Sequence, residues 1–371
     1  MPALARSNLS LLLYPFSLLY GLVTFIRNLL YDYNVIRSHE FPIPIISVGN
    51  ITAGGTGKTP HVEYLVKLLK DEFNVAVLSR GYKRRTRHFI LAGPDSGVQD
   101  IGDEPVQIKQ KFPDVHVAVD RKRVNGVHQL MAIIPDLDVV LLDDAYQHRR
   151  IKPGLSILLI DFHRPIMEDR LLPVGRLREK AYEKRRANII LVTKCPDRLK
   201  PIERRLIVKD ASLHAFQHLY FTRLGYRDPV PVFMDASPEI SPSEIKSSSP
   251  AILMVTGIAN PRLYKRHLRS ISTRITEMIF PDHHSFSQRD INQILQAYNN
   301  MEGEYRFIFT TEKDAMRLRK FANIDLEIRN RLFYIPIETE FLNEDTENFN
   351  NQILKYVNNN KRDSILHKKQ N

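Results

Sequence analysis

The sequence predicts an α/β protein: a doubly wound parallel sheet, a second, smaller α/β domain, and an apolar helix at the N-terminus. Three observations carry this. Short apolar, β-branched runs recur at βαβ spacing. A glycine-rich turn joins one such run to an amphipathic helix. Residues 9–26, LSLLLYPFSLLYGLVTFI, hold 18 positions without a charge.

Residues 43–48, 75–78, 115–119, 138–142, 155–160 and 188–192 read as buried parallel strands, because they are short, rich in β-branched residues and predominantly apolar. Helical patterns over 62–69, 104–111 and 123–133 complete the alternation. Residues 225–250 hold five prolines and the run Ser247-Ser248-Ser249, which reads as a linker or hinge. Strands at 251–255, 278–280, 307–310 and 332–335 follow, with helices at 261–269 and near 348–358, and a frayed polar tail. Ser287 with Asp290 marks a further helix start. The expected domains are 1–36 (membrane-associated helix), 37–228 (core), 229–250 (hinge) and 251–371 (smaller α/β domain).

Composition narrows the function. With 43% hydrophobic residues the chain has the material for a core, and its one cysteine, Cys195, excludes internal disulfides and a cysteine-built zinc site. A formal net charge of +12 asks for an anionic partner. Zinc-finger patterns and the aromatic motifs of single-strand binders are absent, so nucleic acid is not expected. The uncharged stretch is flanked by Arg6 and Arg27, interrupted by Pro15 and Gly21, and accompanied by Tyr14, Tyr20, Tyr31 and Tyr33. That pattern suits a helix lying in the inner leaflet, or a hairpin-like insertion, better than a cleaved signal or a full crossing, the alternative being a buried N-terminal helix of the core.

The run Gly54-Gly55-Thr56-Gly57-Lys58-Thr59-Pro60 follows a strand and opens a helix. In that context the turn's N–H groups and the positive helix end hold phosphate oxygens, Lys58 reaches the terminal phosphates, and the Thr59 hydroxyl ligates Mg²⁺. The core is therefore expected to be P-loop NTPase-like. Thr52 stands where the usual first glycine belongs, so the loop must close differently. Asp143-Asp144 ends an apolar strand in the Walker-B manner and suits Mg²⁺. Gly102-Asp103-Glu104-Pro105 offers two carboxylates at a helix start, and Asp282-His283-His284 offers paired histidines after a strand. Basic residues crowd the strand ends: Arg80, Lys83-Arg84-Arg85, Arg121-Lys122-Arg123, His148-Arg149-Arg150, Arg176 and Arg178. Thr193-Lys194-Cys195-Pro196-Asp197 is out of register with the guanine-reading loop of GTPases, and GTP is not inferred.

These segments, together with Ser47-Val48-Gly49-Asn50, Leu78-Ser79-Arg80-Gly81-Tyr82, Gln147-His148, Leu171-Leu172-Pro173-Val174-Gly175, Leu177-Arg178-Glu179, Phe280-Pro281 and Thr311-Glu312-Lys313-Asp314, resemble the tetraacyldisaccharide 4′-kinase family over nearly the whole chain. That family's P-loop also lacks the first glycine. The chain departs from it at Ala145, where glycine is usual, and at Arg176, where proline is usual. The resemblance implies transfer of the γ-phosphate of ATP, with Mg²⁺, to the 4′-hydroxyl of an acylated glucosamine disaccharide 1-phosphate at the cytoplasmic face of the inner membrane. It implies Asp103 as the base, paired across a domain cleft with His283 or His284. Gly54, Gly55, Thr56, Gly57, Lys58 and Thr59 would hold nucleotide, and Thr59, Asp143, Asp144 and Glu104 the metal. Arg80, Arg121, Arg123, Gln147 and His148 would contact substrate. No obligate protein partner is implied. The alternative is a membrane-associated regulatory P-loop ATPase or GTPase switch, which leaves Asp103 and His283 without a joint role. A non-catalytic scaffold would lose no reaction on Lys58→Ala.

Overall fold

The computed structural model describes residues 3–368, apart from 83, 234, 238, 239, 322 and 323. In chain order its strands are β1 (Ile45–Gly49), β2 (Val75–Ser79), β3 (Ile90–Leu91), β4 (His116–Val119), β5 (Val139–Asp143), β6 (Leu155–Asp161), β7 (Ile189–Thr193), β8 (His218–Tyr226), β9 (Val230–Pro231), β10 (Ala251–Thr256), β11 (Ile275–Ile279), β12 (Arg306–Thr311), β13 (Leu332–Ile335) and β14 (Ile337–Phe341). A nine-stranded sheet has the order β14-β8-β7-β6-β1-β5-β2-β4-β3. Its inner strands β7, β6, β1, β5, β2 and β4 pair in parallel, and β3 runs antiparallel to β4. The order reverses direction at β1, which puts the switch point of the sheet at the strand that feeds the glycine-rich turn. Strands β1, β2, β5 and β7 are buried at every position, the physical reason their sequences run apolar without alternation. A five-stranded sheet has the order β11-β10-β12-β13-β9, parallel except for β9.

The chain forms two compact units whose limits differ from the expected domains. One comprises Met1–Ile101, Phe112–Leu224 and Thr339–Asn371; the other comprises Gly102–Lys111 and Gly225–Glu338. Helix Asp103–Lys111 belongs with the second unit because its side chains are held there: Lys111 pairs with Glu312 at 3.2 Å, and Arg319 bonds Gln110 at 2.6 Å. The expected hinge at 229–250 is part of the same unit. Its β9 pairs with β13, and Val232, Phe233 and Ile245 are core residues. Pro231 lies in an edge strand and Pro242 opens a helix, so the segment is not a free linker. The C-terminal helix, Asp345–Lys368, is longer than the expected 348–358 and belongs to the first unit. Phe349, Ile353 and Val357 bury one stripe, and Tyr356 Oη bonds the backbone of Ile45. A Cβ on Gly154 would stand 2.2 Å from that hydroxyl, so the helix seats only over glycine.

Helix α1 (Ala3–Asp32) is patterned inside out. Ser17, Gly21, Thr24 and Asn28, one stripe at helical spacing, face the protein, while Leu18, Leu19, Leu22, Val23, Phe25 and Ile26 are exposed. The Ser17 hydroxyl donates to the Leu171 carbonyl at 2.9 Å, and a Cβ on Gly21 would stand 2.7 Å from Leu171 Cδ1. Glu179, wholly buried, accepts from Arg27 at 2.6 Å, Asn28 at 3.2 Å and Arg186 at 2.5 Å. Arg149 closes the helix end, bonding the Asn28 carbonyl at 2.9 Å and Asp32 at 2.6 Å.

Helix α2 (Lys58–Leu69) carries a buried histidine in its first turn. His61 Nδ1 lies 2.7 Å from the Gly57 carbonyl and so donates, and Nε2, 3.0 Å from Thr222 Oγ1, accepts. Burial, with the nearby Lys194 charge, outweighs the Gly57 bond and pushes its pKa down to about 4. The unfolded chain therefore binds one more proton than the folded one between about pH 6.5 and 4. The stability His61 contributes is present above pH 6.5 and is lost as pH falls through that window, about 3 kcal/mol in all. Denaturant unfolding at pH 7 and pH 4 checks this: the difference between the two should shrink by about 3 kcal/mol in His61→Gln. An unchanged difference would show that His61 is not its source.

Candidate functional sites

In the first unit, the turn after β1 is tied down on three sides. Asn50 Nδ2 donates to Thr56 Oγ1 at 2.8 Å, Thr193 Oγ1 donates to the Thr56 carbonyl at 2.8 Å, and Lys194 Nζ bonds both the Gly55 carbonyl and Asp161. Gly54 and Gly57 have φ of 111° and 89°, values that side chains rarely adopt, so these glycines are demanded by the backbone. Thr52 needs no such freedom. It forms a bridge with Leu177, flanked by bonds from Ala53 N to Arg176 O and from Arg178 N to Ile51 O, both 2.7 Å. The loop thus closes against residues 171–178 instead of through a first glycine. Lys58 and Thr59 begin α2 directly after the turn, with the helix N-terminus behind them.

Asp143 ends β5 and accepts from the Ser79 hydroxyl at 3.1 Å. Asp144 turns out of the strand with φ of 46°, and this brings its carboxylate 3.5 Å from Lys58 Nζ and 3.3 Å from Arg178 Nη1. Burial opposes its charge, but Lys58, Arg178 and Arg123 prevail and hold its pKa below the ordinary value. Ala145 stays out of the left-handed region, so the missing glycine has no cost there. Arg176 N donates to Asp169 Oδ1 at 3.2 Å, a bond that the usual proline could not make.

The expected substrate residues divide. Arg80 and Arg121 are exposed just beyond the paired ends of β2 and β4. Arg123 is not: it is buried, with Nη2 on the Asp143 carbonyl at 3.3 Å and Nη1 on the Asp120 carbonyl at 3.5 Å. Burial lowers its pKa to about 10, which leaves it charged at neutral pH as a fixed brace for the strand end. Gln147 is likewise a brace, its amide donating to the Asn50 carbonyl at 2.8 Å. His148 is half-buried among Arg123, Arg150 and Arg80; burial first and those charges next lower its pKa to about 4, so it is neutral at pH 7. Lys83 lies outside the described residues.

In the second unit, Asp103 begins helix Asp103–Lys111 and is buried. Arg317 grips both of its oxygens, Nε reaching Oδ1 at 3.2 Å and Nη2 bonding Oδ2. His283 Nδ1 lies 3.1 Å from Oδ2. Burial raises the carboxyl's pKa, yet the hydrogen bonds from His283 and Arg317 and the charges of Arg317 and Lys313 hold it well below the usual range. Asp103 and His283 thus meet inside one unit, and not across a domain boundary as expected, because residues 102–111 pack with 225–338. His284 turns away to Asp290 at 3.1 Å and stacks on Phe280. His283 sits at φ of 58°, a left-handed conformation uncommon outside glycine and enriched at functional sites.

The Thr311-Glu312-Lys313-Asp314 run builds this arrangement. Thr311 caps helix Glu312–Leu318 by accepting from Asp314 N. Asp314, fully buried, accepts from Gly257 N at 2.9 Å and from Arg317 Nη1 at 2.8 Å, which aims the guanidinium at Asp103. Lys313 donates to Glu104 at 2.7 Å. Glu104, expected as a metal ligand, is thus the partner of Lys313. Sequence reasoning also missed Arg317, whose signal was its position three residues beyond Asp314, and Arg178 and Lys194 as partners of the nucleotide loop.

Comparison with known proteins places the chain. The profile of the family described as LpxK, tetraacyldisaccharide-1-P 4'-kinase, matches residues 9–358. A tetraacyldisaccharide 4'-kinase of Bacteroides thetaiotaomicron is 47% identical over 365 residues, 97% of this chain and 96% of that one. One of Flavobacterium johnsoniae is 42% identical over 346 residues, covering 93% and 96%. Among solved structures, LpxK from Aquifex aeolicus in complex with ATP superposes with a TM-score of 0.71 at 26% identity, covering 94% of this chain and 99% of that one. The chain belongs to the tetraacyldisaccharide-1-P 4'-kinase family.

Proposed function

We propose that the chain transfers the γ-phosphate of ATP to the 4′-hydroxyl of a tetraacylated glucosamine disaccharide 1-phosphate, a step of lipid A biosynthesis. Family membership over residues 9–358 is the observation that carries this reading. The cradle at 54–59 and the dense ion pairing of Asp103 agree with it. The sugar hydroxyl oxygen attacks the γ-phosphorus and forms the new O–P bond. The bond from that phosphorus to the β–γ bridging oxygen breaks, and ADP leaves with its electrons. Asp103 accepts the hydroxyl proton, and His283 and Arg317 orient its carboxylate. Lys58 and the turn's N–H groups hold the phosphates, and Arg80 and Arg121 offer charge to substrate phosphate.

Among the described residues no three His, Cys, Asp or Glu side chains gather as a metal cluster. That suits Mg²⁺ in a kinase, which takes one or two carboxylates and otherwise phosphate and water. Thr59, Asp143 and Asp144 are the donors this chain supplies, and the ion would neutralise phosphate charge. Helix α1 seats the enzyme on the cytoplasmic face of the inner membrane. It is the one described helix apolar and long enough to cross a bilayer, yet its polar stripe is committed to the protein. The exposed side then lies in the headgroup region beside a substrate anchored by its acyl chains. This arrangement favours a lipid kinase over a nucleotide switch.

Incubation with Mg-ATP and detergent-dispersed disaccharide monophosphate, scored by mass, should show one added phosphate. Lys58→Ala should abolish it, and ATP turnover of equal rate without the lipid would favour the switch. Replacing Leu18, Leu22 and Phe25 by serine should weaken co-sedimentation with anionic vesicles while leaving the melting temperature in place. Undiminished vesicle binding would remove α1 as the membrane contact.

A further inference from the structure

Lys313 Nζ touches two groups at once, Glu104 Oε1 at 2.7 Å and His283 Nε2 at 3.0 Å. An ammonium has three N–H donors and no acceptor, so the ring nitrogen it meets must present a lone pair. A neutral imidazole carries one ring proton, and with Nε2 accepting, that proton is on Nδ1. Nδ1 faces Asp103 Oδ2 at 3.1 Å, an acceptor. Arg317 Nη2 also comes within 3.3 Å of Nδ1, as it must when two donors converge on that same oxygen. The backbone fixes the ring from behind, with His283 N donating to the Gly257 carbonyl at 3.1 Å.

We propose that Lys313 is a positioning residue that locks His283 in the Nδ1–H tautomer, with Glu104 as the counter-ion that holds the ammonium in place. The proposal rests on the reading of Asp103 as proton acceptor. Its consequence is a division of labour. With Nε2 occupied by Lys313, His283 does not take up the hydroxyl proton; it donates to Asp103 and orients it, and the proton stays on the carboxylate.

The test uses the full-length protein with ¹⁵N-labelled histidine rings, the His283 signals being assigned by their loss in His283→Gln. At neutral pH the wild type should show Nδ1 as the protonated nitrogen and Nε2 as the bare one. Lys313→Met should release the ring to the Nε2–H tautomer or to a mixture. It should lower kcat for lipid phosphorylation by about tenfold or more, part of the roughly 10²–10⁴ that a positioned proton-transfer group supplies, with KM for ATP unchanged. Lys313→Arg, which keeps a donor, should restore the wild-type pattern and much of the rate. A protonated Nε2 in the wild type overturns the proposal, as does a Lys313→Met protein with unaltered spectrum and kcat. The wild-type spectrum reads the tautomer alone and needs no variant to fold. It therefore stands or falls separately from the role of Asp103, which the rate of Asp103→Asn reads.

Discussion

Asp103 carries a negative charge to a position only 7% exposed, and the surrounding residues of the second unit are arranged to keep it there. A buried carboxylate without partners would protonate and lose its use as a base. Arg317 meets both oxygens, and His283 supplies a third contact. Asp314 in turn holds Arg317 while bonding Gly257 N, so the guanidinium is fixed by a second buried carboxylate. A chain of alternating charges, each answered by the next, sets the geometry of the group that would receive the proton. The same logic operates in the first unit, where Lys58 and Arg178 keep Asp144 ionised beside the nucleotide turn.

A charge answered in this way also explains how α1 is attached. Apolar contact alone could not hold the helix in register, because its most apolar side faces outward. Glu179, Arg27, Asn28 and Arg186 supply the specificity instead, and Gly21 allows the close approach. Glu179 also lies 3.5 Å from Gln147, which bonds the carbonyl of Asn50 at the start of the nucleotide turn. The helix that would rest on the lipid and the loop that would hold ATP are therefore parts of one hydrogen-bonded framework within the first unit.

Much of the fold was legible in the sequence, because buried parallel strands cannot hide: β1, β2, β5 and β7 are apolar at nearly every position. Strand β8 was missed, since HLYFTRLGY mixes polar residues with apolar ones as a partly exposed strand does. The unit boundaries were not legible. They depend on discontinuous packing, of helix Asp103–Lys111 with 225–338 and of the C-terminal helix with β1, that no local pattern encodes. Of the candidate site, the residues at strand ends and helix starts stand out in sequence because a doubly wound sheet presents its ligand crevice there. The carbonyl partners of Arg123 and Gln147, both expected to contact substrate, had no sequence signal, because no local pattern encodes them. Arg317 was invisible because arginine on a helix is ordinarily solvated surface.

The account turns on proton transfer to Asp103, and single-turnover phosphorylation of the lipid by Asp103→Asn tests it most directly. Asparagine preserves shape and hydrogen-bonding reach but cannot accept the proton. The rate of phosphate transfer should fall by about 10²–10⁴, with ATP affinity, measured by calorimetry on the same preparation, unchanged. A transfer rate equal to that of the wild type would contradict the central claim.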